Sequence, residues 1–257
     1  MTLAPLGRIV YGPVASRRLG RSLGINLLPA GMKVCNMNCA YCQYGFTRGA
    51  VMKFRGQGGG WPTPQAVGDA LAARLAQAAA CGELLDRLTV AGHGEPTLHP
   101  DFDEVTTRLR AVRDRVAPGL PLAILSNSTT AGWTDVRAAL GRYDERYMKL
   151  DAGDPLVFAQ VNDGGASFLD VLDGLSTLPS VVVQAMFVTD ANGAVDNTGD
   201  GAVEEWLRAL ERVHATGVHI YTLQREPALG SLRKVPARRL REIAERVHAL
   251  RIPAQIF

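Results

Sequence analysis

The sequence predicts an α/β fold in which short parallel strands alternate with amphipathic helices. Three observations predict it. Six apolar, strand-length runs recur along the chain, and helical segments with apolar residues at three-to-four spacing separate them. Polar or glycine-bearing motifs follow the strands, which is where chemistry gathers in such folds. The 257 residues, 47% apolar and 21% charged, suffice for one large domain with a well-buried core.

Taken in order, residues 1–22 read as an irregular lead-in, because Gly12-Pro13, Gly20 and Gly24 interrupt regular structure. The first strand covers 23–28 and runs into a loop that carries three of the four cysteines. Residues 43–60 show little periodicity and end in Gly58-Gly59-Gly60, a stretch that either covers a site or connects elements. Thr63 followed by Pro64 is a helix start, a cap and then a first-turn proline, and this helix runs to about Ala80. Strands are then expected over 87–91, 122–125, 147–150, 181–188 and 218–223. Helices are expected over 101–116, 134–140, 167–178, 201–215 and 236–250. Alternation of this kind specifies βα units and a parallel sheet, either wound as a barrel or as a doubly wound open sheet. With no repeat and no linker, 1–257 reads as a single domain: lead-in 1–22, then βα units over 23–257.

No apolar run approaches the ~20 residues of a membrane span. The first residues lack a basic segment followed by a long apolar one, so no signal peptide is read. Clustered unpaired thiols suit a reducing compartment, and a cytoplasmic protein is the expectation. Net charge is +3, and only four of the 28 basic residues are lysines (Lys33, Lys53, Lys149, Lys234). Arginine richness alone is no nucleic-acid footprint, which needs a concentrated patch. Arg238, Arg239 and Arg241 share a helix with Glu242 and Glu245 and read as a solvated face. Arg17, Arg18 and Arg21 lie in a turn before the first strand. They either pair with surface carboxylates or hold a substrate phosphate or carboxylate, for which guanidinium forks are suited.

Cys35, Cys39 and Cys42 fall within eight residues, at C-x3-C-x2-C, with Tyr41 before the last. Three thiolates on one short loop suit zinc or an iron–sulfur cluster. A structural zinc site wants a fourth ligand at matching spacing, and no second C-x2-C follows. A cluster held by three cysteines leaves one iron open to a ligand. Beyond the second strand comes Gly92-His93-Gly94-Glu95-Pro96, where glycines allow close backbone approach and a carboxylate accepts hydrogen bonds. Beyond the third comes Ser126-Asn127-Ser128-Thr129-Thr130, which offers hydroxyls and an amide and also suits a helix cap. Lys149 and Asp151 share one face at the end of the fourth strand, as an ion pair or as site contacts. Gln184 and Met186 share a face of the fifth strand, and a glutamine among apolar residues wants a partner. The sixth strand ends at Leu223, followed by Arg225 and Glu226.

The cysteine spacing with its aromatic resembles the signature of the radical S-adenosylmethionine (radical SAM) superfamily. The resemblance implies a partial (β/α)6 barrel. It also implies a 4Fe–4S cluster held by Cys35, Cys39 and Cys42, whose open iron binds the amino and carboxylate groups of SAM. Reduction by a flavodoxin- or ferredoxin-like donor then cleaves SAM to methionine and a 5′-deoxyadenosyl radical, which takes hydrogen from a substrate. Gly94-Glu95-Pro96 resembles the family's G-G-E-type motif, and Ser126, Asn127 and Ser128 its ribose-side motif. Tyr41 is then expected near the adenine. Asp151, Gln184, Met186 and Leu223 are expected as further cofactor contacts, and Lys149 and Asp151 as catalytic candidates. Most of the chain resembles the compact radical SAM proteins grouped with wyosine-base (tRNA) synthases. It departs from true synthases in having no cysteine before Cys35 and few lysines for a Schiff base. A small-molecule substrate is favoured, with tRNA or a protein as alternatives.

Overall fold

The computed structural model describes residues 3–4, 6–47, 55–56 and 59–257. Gly58 and Lys53, both noted in the sequence, lie outside these. The strands are β1 (Val10–Ser16), β2 (Gly20–Ile25), β3 (Arg87–Val90), β4 (Leu122–Ser126), β5 (Glu145–Lys149), β6 (Val181–Met186), β7 (Val188–Asp190), β8 (Gly217–Tyr221), β9 (Leu232–Lys234) and β10 (Ala254–Ile256). The helices are α1 (Pro64–Ala80), α2 (Phe102–Val116), α3 (Thr134–Leu140), α4 (Pro155–Val161), α5 (Phe168–Ser176), α6 (Asp200–Arg212) and α7 (Ala237–Ala249).

Eight strands form one sheet in the order β1-β2-β3-β4-β5-β6-β8-β10. Only β1 runs antiparallel to its neighbour; the pairs from β2 to β10 are parallel. A doubly wound sheet reverses its strand order at a switch point. This order never reverses, so the winding is that of a partial barrel. Side-chain alternation gives the sheet two distinct faces. Leu23, Ile25, Leu88, Val90, Leu122, Ile124, Met148, Val183 and Ile220 are buried against the helices in the main core. Fully burying an aliphatic side chain of this kind contributes ~1.5–3 kcal/mol, so this face does most of the stabilising. The inner face is mixed: Thr89, Ala123, Leu125, Tyr147, Lys149, Gln184, His219 and Tyr221.

Local signals hold where their chemistry is local. Thr63 Oγ1 accepts from the Ala66 amide at 3.2 Å and caps α1. Ser167 caps α5 by accepting from the Asp170 amide at 3.0 Å. Differences have physical causes. The expected irregular lead-in is regular from Val10 on, because β1 pairs with β2. Gly24 permits this: a Cβ there would lie 2.2 Å from the Tyr11 ring. The expected strand over 181–188 breaks at Phe187, which is fully buried edge-on to Trp206 at 5.0 Å. Val188 then opens β7, which pairs with β9. Helix α4 was missed although Asp154-Pro155 repeats the cap-then-proline signal; Asp154 accepts from the Leu156 and Val157 amides at 2.9 and 3.0 Å. Among the described residues no helix is long and apolar enough to cross a membrane.

His219 sits on the inner face between the rings of Tyr147 (5.2 Å) and Phe257 (5.0 Å). Burial, with the nearby charges of Arg18 and Arg87, pushes its pKa from 6.5 down to about 4. The unfolded chain therefore binds a proton that the folded chain refuses. Its stabilising contribution is complete above pH ~6.5 and is lost as pH falls through about 4. His219→Gln is expected to flatten the decline of unfolding free energy across that window. Urea titrations at several pH values check it.

Candidate active site

The cysteine loop closes over the C-terminal ends of the strands and is tied down on three sides. On the first, the Glu95 amide donates to the Val34 carbonyl at 2.9 Å. Gly94 packs directly against that carbonyl, and a Cβ there would sit 1.7 Å from it. On the second, the Asn127 amide group donates to Asn36 Oδ1 at 2.8 Å and approaches Cys35 Sγ at 3.7 Å, while Asn36 donates to Thr129 Oγ1 at 2.7 Å. On the third, the end of α4 backs the loop. The Ala40 amide donates to the Val161 carbonyl at 2.8 Å, and Asn162 Nδ2 donates to Cys39 Sγ at 3.4 Å. The segment after β8 adds a clasp, since the Leu229 amide donates to the Ala40 carbonyl at 2.8 Å and Arg225 to Gln43 Oε1 at 3.0 Å.

The three thiols form no disulfide; Cys39 is buried and Cys35 and Cys42 are half-buried. Burial pushes the Cys35 thiol up to about 12, helped by the charge of Cys39, and burial likewise raises Cys39. The expected polar residues gather beside this loop. Glu95 is 1% exposed and knits two strand ends together. Its Oε1 accepts from the Thr97 amide, Thr97 Oγ1 and Ser126 Oγ at 3.1, 2.6 and 2.9 Å, and its Oε2 from the Asn127 amide at 2.6 Å. Burial raises its pKa, and these donors pull the other way. Pro96 opens the buried turn Pro96–Leu98 that carries Thr97. Ser128, fully buried with φ 74°, donates to the Lys149 carbonyl at 2.8 Å. His93 is spoken for, since its Nδ1 accepts from the Leu6 amide and its Nε2 meets the Pro29 carbonyl, each at 3.0 Å.

Asp151, 1% exposed, is the hub of the other side. Its Oδ1 accepts from the Met186 amide at 2.8 Å; its Oδ2 accepts from Asn162 Nδ2 at 2.7 Å and from the Tyr41 hydroxyl. Lys149 Nζ donates to the Tyr41 hydroxyl at 2.6 Å and lies 3.7 Å from Asp151 Oδ2. The pKa of Lys149 is raised: burial pulls it down, but Asp151 and neighbouring anionic groups outweigh that. A lysine whose ammonium is paired with a carboxylate is a poor Schiff-base nucleophile. Lys33 donates to the Gly45 carbonyl and Lys234 is exposed on β9. Met186, Leu223 and Tyr41 pack together on a small cluster with Ala40, Val161 and Val188. Gln184 lies further in, where its Oε1 accepts from Arg18 at 3.2 Å. The sequence missed Asn36 and Asn162. Asn36 stands inside the cysteine motif and was readable there; Asn162 approaches only through the fold.

Asp151→Asn keeps the shape but strips the charge that Lys149 requires. It is expected to cost about 2 kcal/mol of unfolding free energy, as for a buried charged partner left unmatched. Urea denaturation with an unchanged slope checks it.

The Radical SAM superfamily profile matches residues 31–191, more than half of the chain. The chain belongs to the radical SAM superfamily. Among curated relatives, it is 32% identical over 154 residues to a UPF0026 protein of Methanocaldococcus jannaschii, covering 60% of this chain and 44% of that one. It is 28% identical over 200 residues to a UPF0026 protein of Helicobacter pylori, covering 74% and 59%. The chain thus spans roughly half the length of these relatives. Among solved structures, a radical SAM methyltransferase from Sphaerobacter thermophilus aligns with TM-score 0.65 at 16% identity, covering 92% of this chain and 65% of that one. SuiB of Streptococcus suis bound to S-adenosylmethionine aligns with TM-score 0.62 at 12% identity, covering 88% and 48%. Archaeal TYW1 aligns with TM-score 0.54 at 12% identity, covering 89% and 72%. These likenesses establish the partial-barrel fold.

A radical SAM protein is an iron–sulfur enzyme that uses a 4Fe–4S cluster and SAM. The donor set here fits the cluster. Three unbridged thiols stand on one clamped loop, and amide N–H groups of Asn127 and Asn162 point at two of the sulfurs. Hydrogen bonds to cluster sulfurs are among the protein's means of tuning it. Among the described residues no three His, Cys, Asp or Glu side chains close on one point as a single metal ion requires. A cluster asks for less, because each thiolate meets its own iron.

Proposed function

We propose that this radical SAM enzyme acts on a small molecule held inside the partial barrel, with Cys35, Cys39 and Cys42 holding the cluster. When bound, the cluster supplies the electron that cleaves SAM to methionine and the 5′-deoxyadenosyl radical. The observation that carries the reading is the clamped cysteine loop, with two of its three sulfurs facing amide donors above the polar inner face.

The chain's own residues divide the remaining work. Gly94 lets the β3 loop approach the cysteine loop. Glu95, saturated by Thr97, Ser126 and Asn127, fixes the backbone whose carbonyls receive the SAM ammonium. Asn127, tied to Asn36, and Ser128, tied to the Lys149 carbonyl, would fix the loop that lies on the ribose side. Asp151 and Lys149 hold Tyr41, and with it the end of the cysteine loop, so that a bound adenine would meet a fixed backbone. Met186 and Leu223 pack apolar surface beside Tyr41, which would keep water from a reactive intermediate. The electron comes from a flavodoxin- or ferredoxin-like donor.

Two features favour a small molecule over tRNA. Arg21 is already paired with Asp86 at 2.7 Å, and Arg18 turns into the barrel, which leaves Arg17 as the exposed arginine of the turn, short of the concentrated patch a phosphate backbone asks for. The test is anaerobic reconstitution, reduction, and mass spectrometry of the SAM products. The expected product is 5′-deoxyadenosine, and a different SAM fragment overturns the cleavage stated here.

A further inference from the structure

The turn between β1 and β2 sends Arg18 into the partial barrel from the end opposite the cysteine loop. Its guanidinium lies 4.7 Å from the centre of the Tyr221 ring and donates to Gln184 Oε1 at 3.2 Å. Gln184 pairs in register with Lys149 on one side and His219 on the other. The opposite face of these strands, with Met148, Val183 and Ile220, is buried against the helices, so Gln184, His219 and Tyr221 project inward.

Charge on this inner face does not balance. Its cations are Arg18, Arg87 and Lys149, and its anions are Glu145 and Asp151. Arg87 pairs with Glu145, and Lys149 with Asp151. Among the described residues no carboxylate pairs with Arg18. A guanidinium carries five N–H donors, and an amide oxygen answers only one of them. Among the described residues two further groups beside it have no hydrogen-bond partner: Gln184 Nε2 and His219 Nδ1, of residues 6% and 9% exposed. Turned-in charge and orphaned polar atoms are costly unless something completes them.

Resting on the small-molecule reading above, we propose that Arg18, with Gln184 Nε2, binds the carboxylate or phosphate of an anionic substrate at the floor of the barrel. Tyr221 stacks the guanidinium in place, and the fork then meets two oxygens of one anion. The site also sets the substrate's length. Met186, two residues on from Gln184, already packs with Tyr41 beneath the cysteine loop. Two strand residues span ~7 Å, so a molecule with its anion at Arg18 presents its other end to the cofactor mouth after four to six non-hydrogen atoms.

The experiment uses anaerobically reconstituted holoprotein and calorimetric titration with inorganic phosphate, propionate and the neutral isostere propionamide. The expected result is saturable binding of phosphate or propionate, and whichever binds identifies the anion class, with none for propionamide. Arg18→Gln is expected to weaken that binding about tenfold or more. Gln184→Leu serves as a second variant that keeps the arginine, and a smaller loss is expected. Cluster absorbance reports that each variant is folded. Equal binding in wild type and Arg18→Gln, binding of propionamide as well as propionate, or no anion binding at all overturns the proposal and leaves Arg18 as a plug. SAM cleavage measured on the same samples keeps the two readings apart. Cleavage without anion binding removes this site alone, and anion binding without cleavage removes the functional reading alone.

Discussion

Cys39→Ala is expected to abolish the brown iron–sulfur absorbance and 5′-deoxyadenosine formation together, to background in both. Cys39 is the middle and most buried of the three thiols, and Asn162 and the α4 end hold it from behind. No other described thiol can replace it, since Cys81 is exposed at the end of α1, on a different part of the chain. Alanine leaves the backbone contacts of Ala40 and Cys42 in place, so the loop survives while its central ligand is gone. Cys81→Ala is the control and should leave iron content unchanged. Iron and sulfide analysis with product mass spectrometry checks both variants.

Gly94→Ala is expected to be nearly as damaging by a different route. The new Cβ would lie 1.7 Å from the Val34 carbonyl oxygen and 2.5 Å from its carbon. These are backbone atoms one residue before the first cysteine, so no side-chain rotation relieves the overlap. Either the β3 loop or the cysteine loop moves, and the Glu95–Val34 hydrogen bond is lost with it. Overpacking commonly costs 1–3 kcal/mol, and a backbone obstacle puts this site at about 3 kcal/mol or more. That corresponds to a melting temperature lower by about 6–12 °C. Cluster retention falls too, because Cys35 shifts with Val34. Gly119, with nothing within 4 Å of its Cβ position, is the matching control, and Gly119→Ala should melt close to wild type. A thermal melt of the three proteins decides it.

What was legible in the sequence was what short-range chemistry writes. The cap and proline at Thr63-Pro64, the apolar spacing of α2 and the boundaries of α3 needed only neighbours to be read. The cysteine trio and the motifs after β3, β4 and β5 were legible because loops at strand ends carry chemistry whatever the helices do. The strand β10 was not legible: three residues after Pro253 gain their order by pairing with β8. Nor was the role of Glu95 as a saturated strut, which depends on Ser126 and Asn127 arriving from another strand. Asn162 lies 123 residues from Cys39 along the chain, and only the packing of α4 brings its amide to the sulfur. The polar turn that carries Arg18 left open whether the arginine meets surface carboxylates or a substrate anion, because only the fold shows that it turns into the barrel.

Cys35, Cys39 and Cys42 are expected to share one cluster with a corner that SAM can reach. Electron paramagnetic resonance of the reduced, anaerobically reconstituted protein, before and after adding SAM, tests this most directly. The expected result is an iron–sulfur signal whose shape changes on SAM addition. A spectrum that SAM leaves untouched, or no iron–sulfur signal from a protein whose three cysteines are intact, would contradict it.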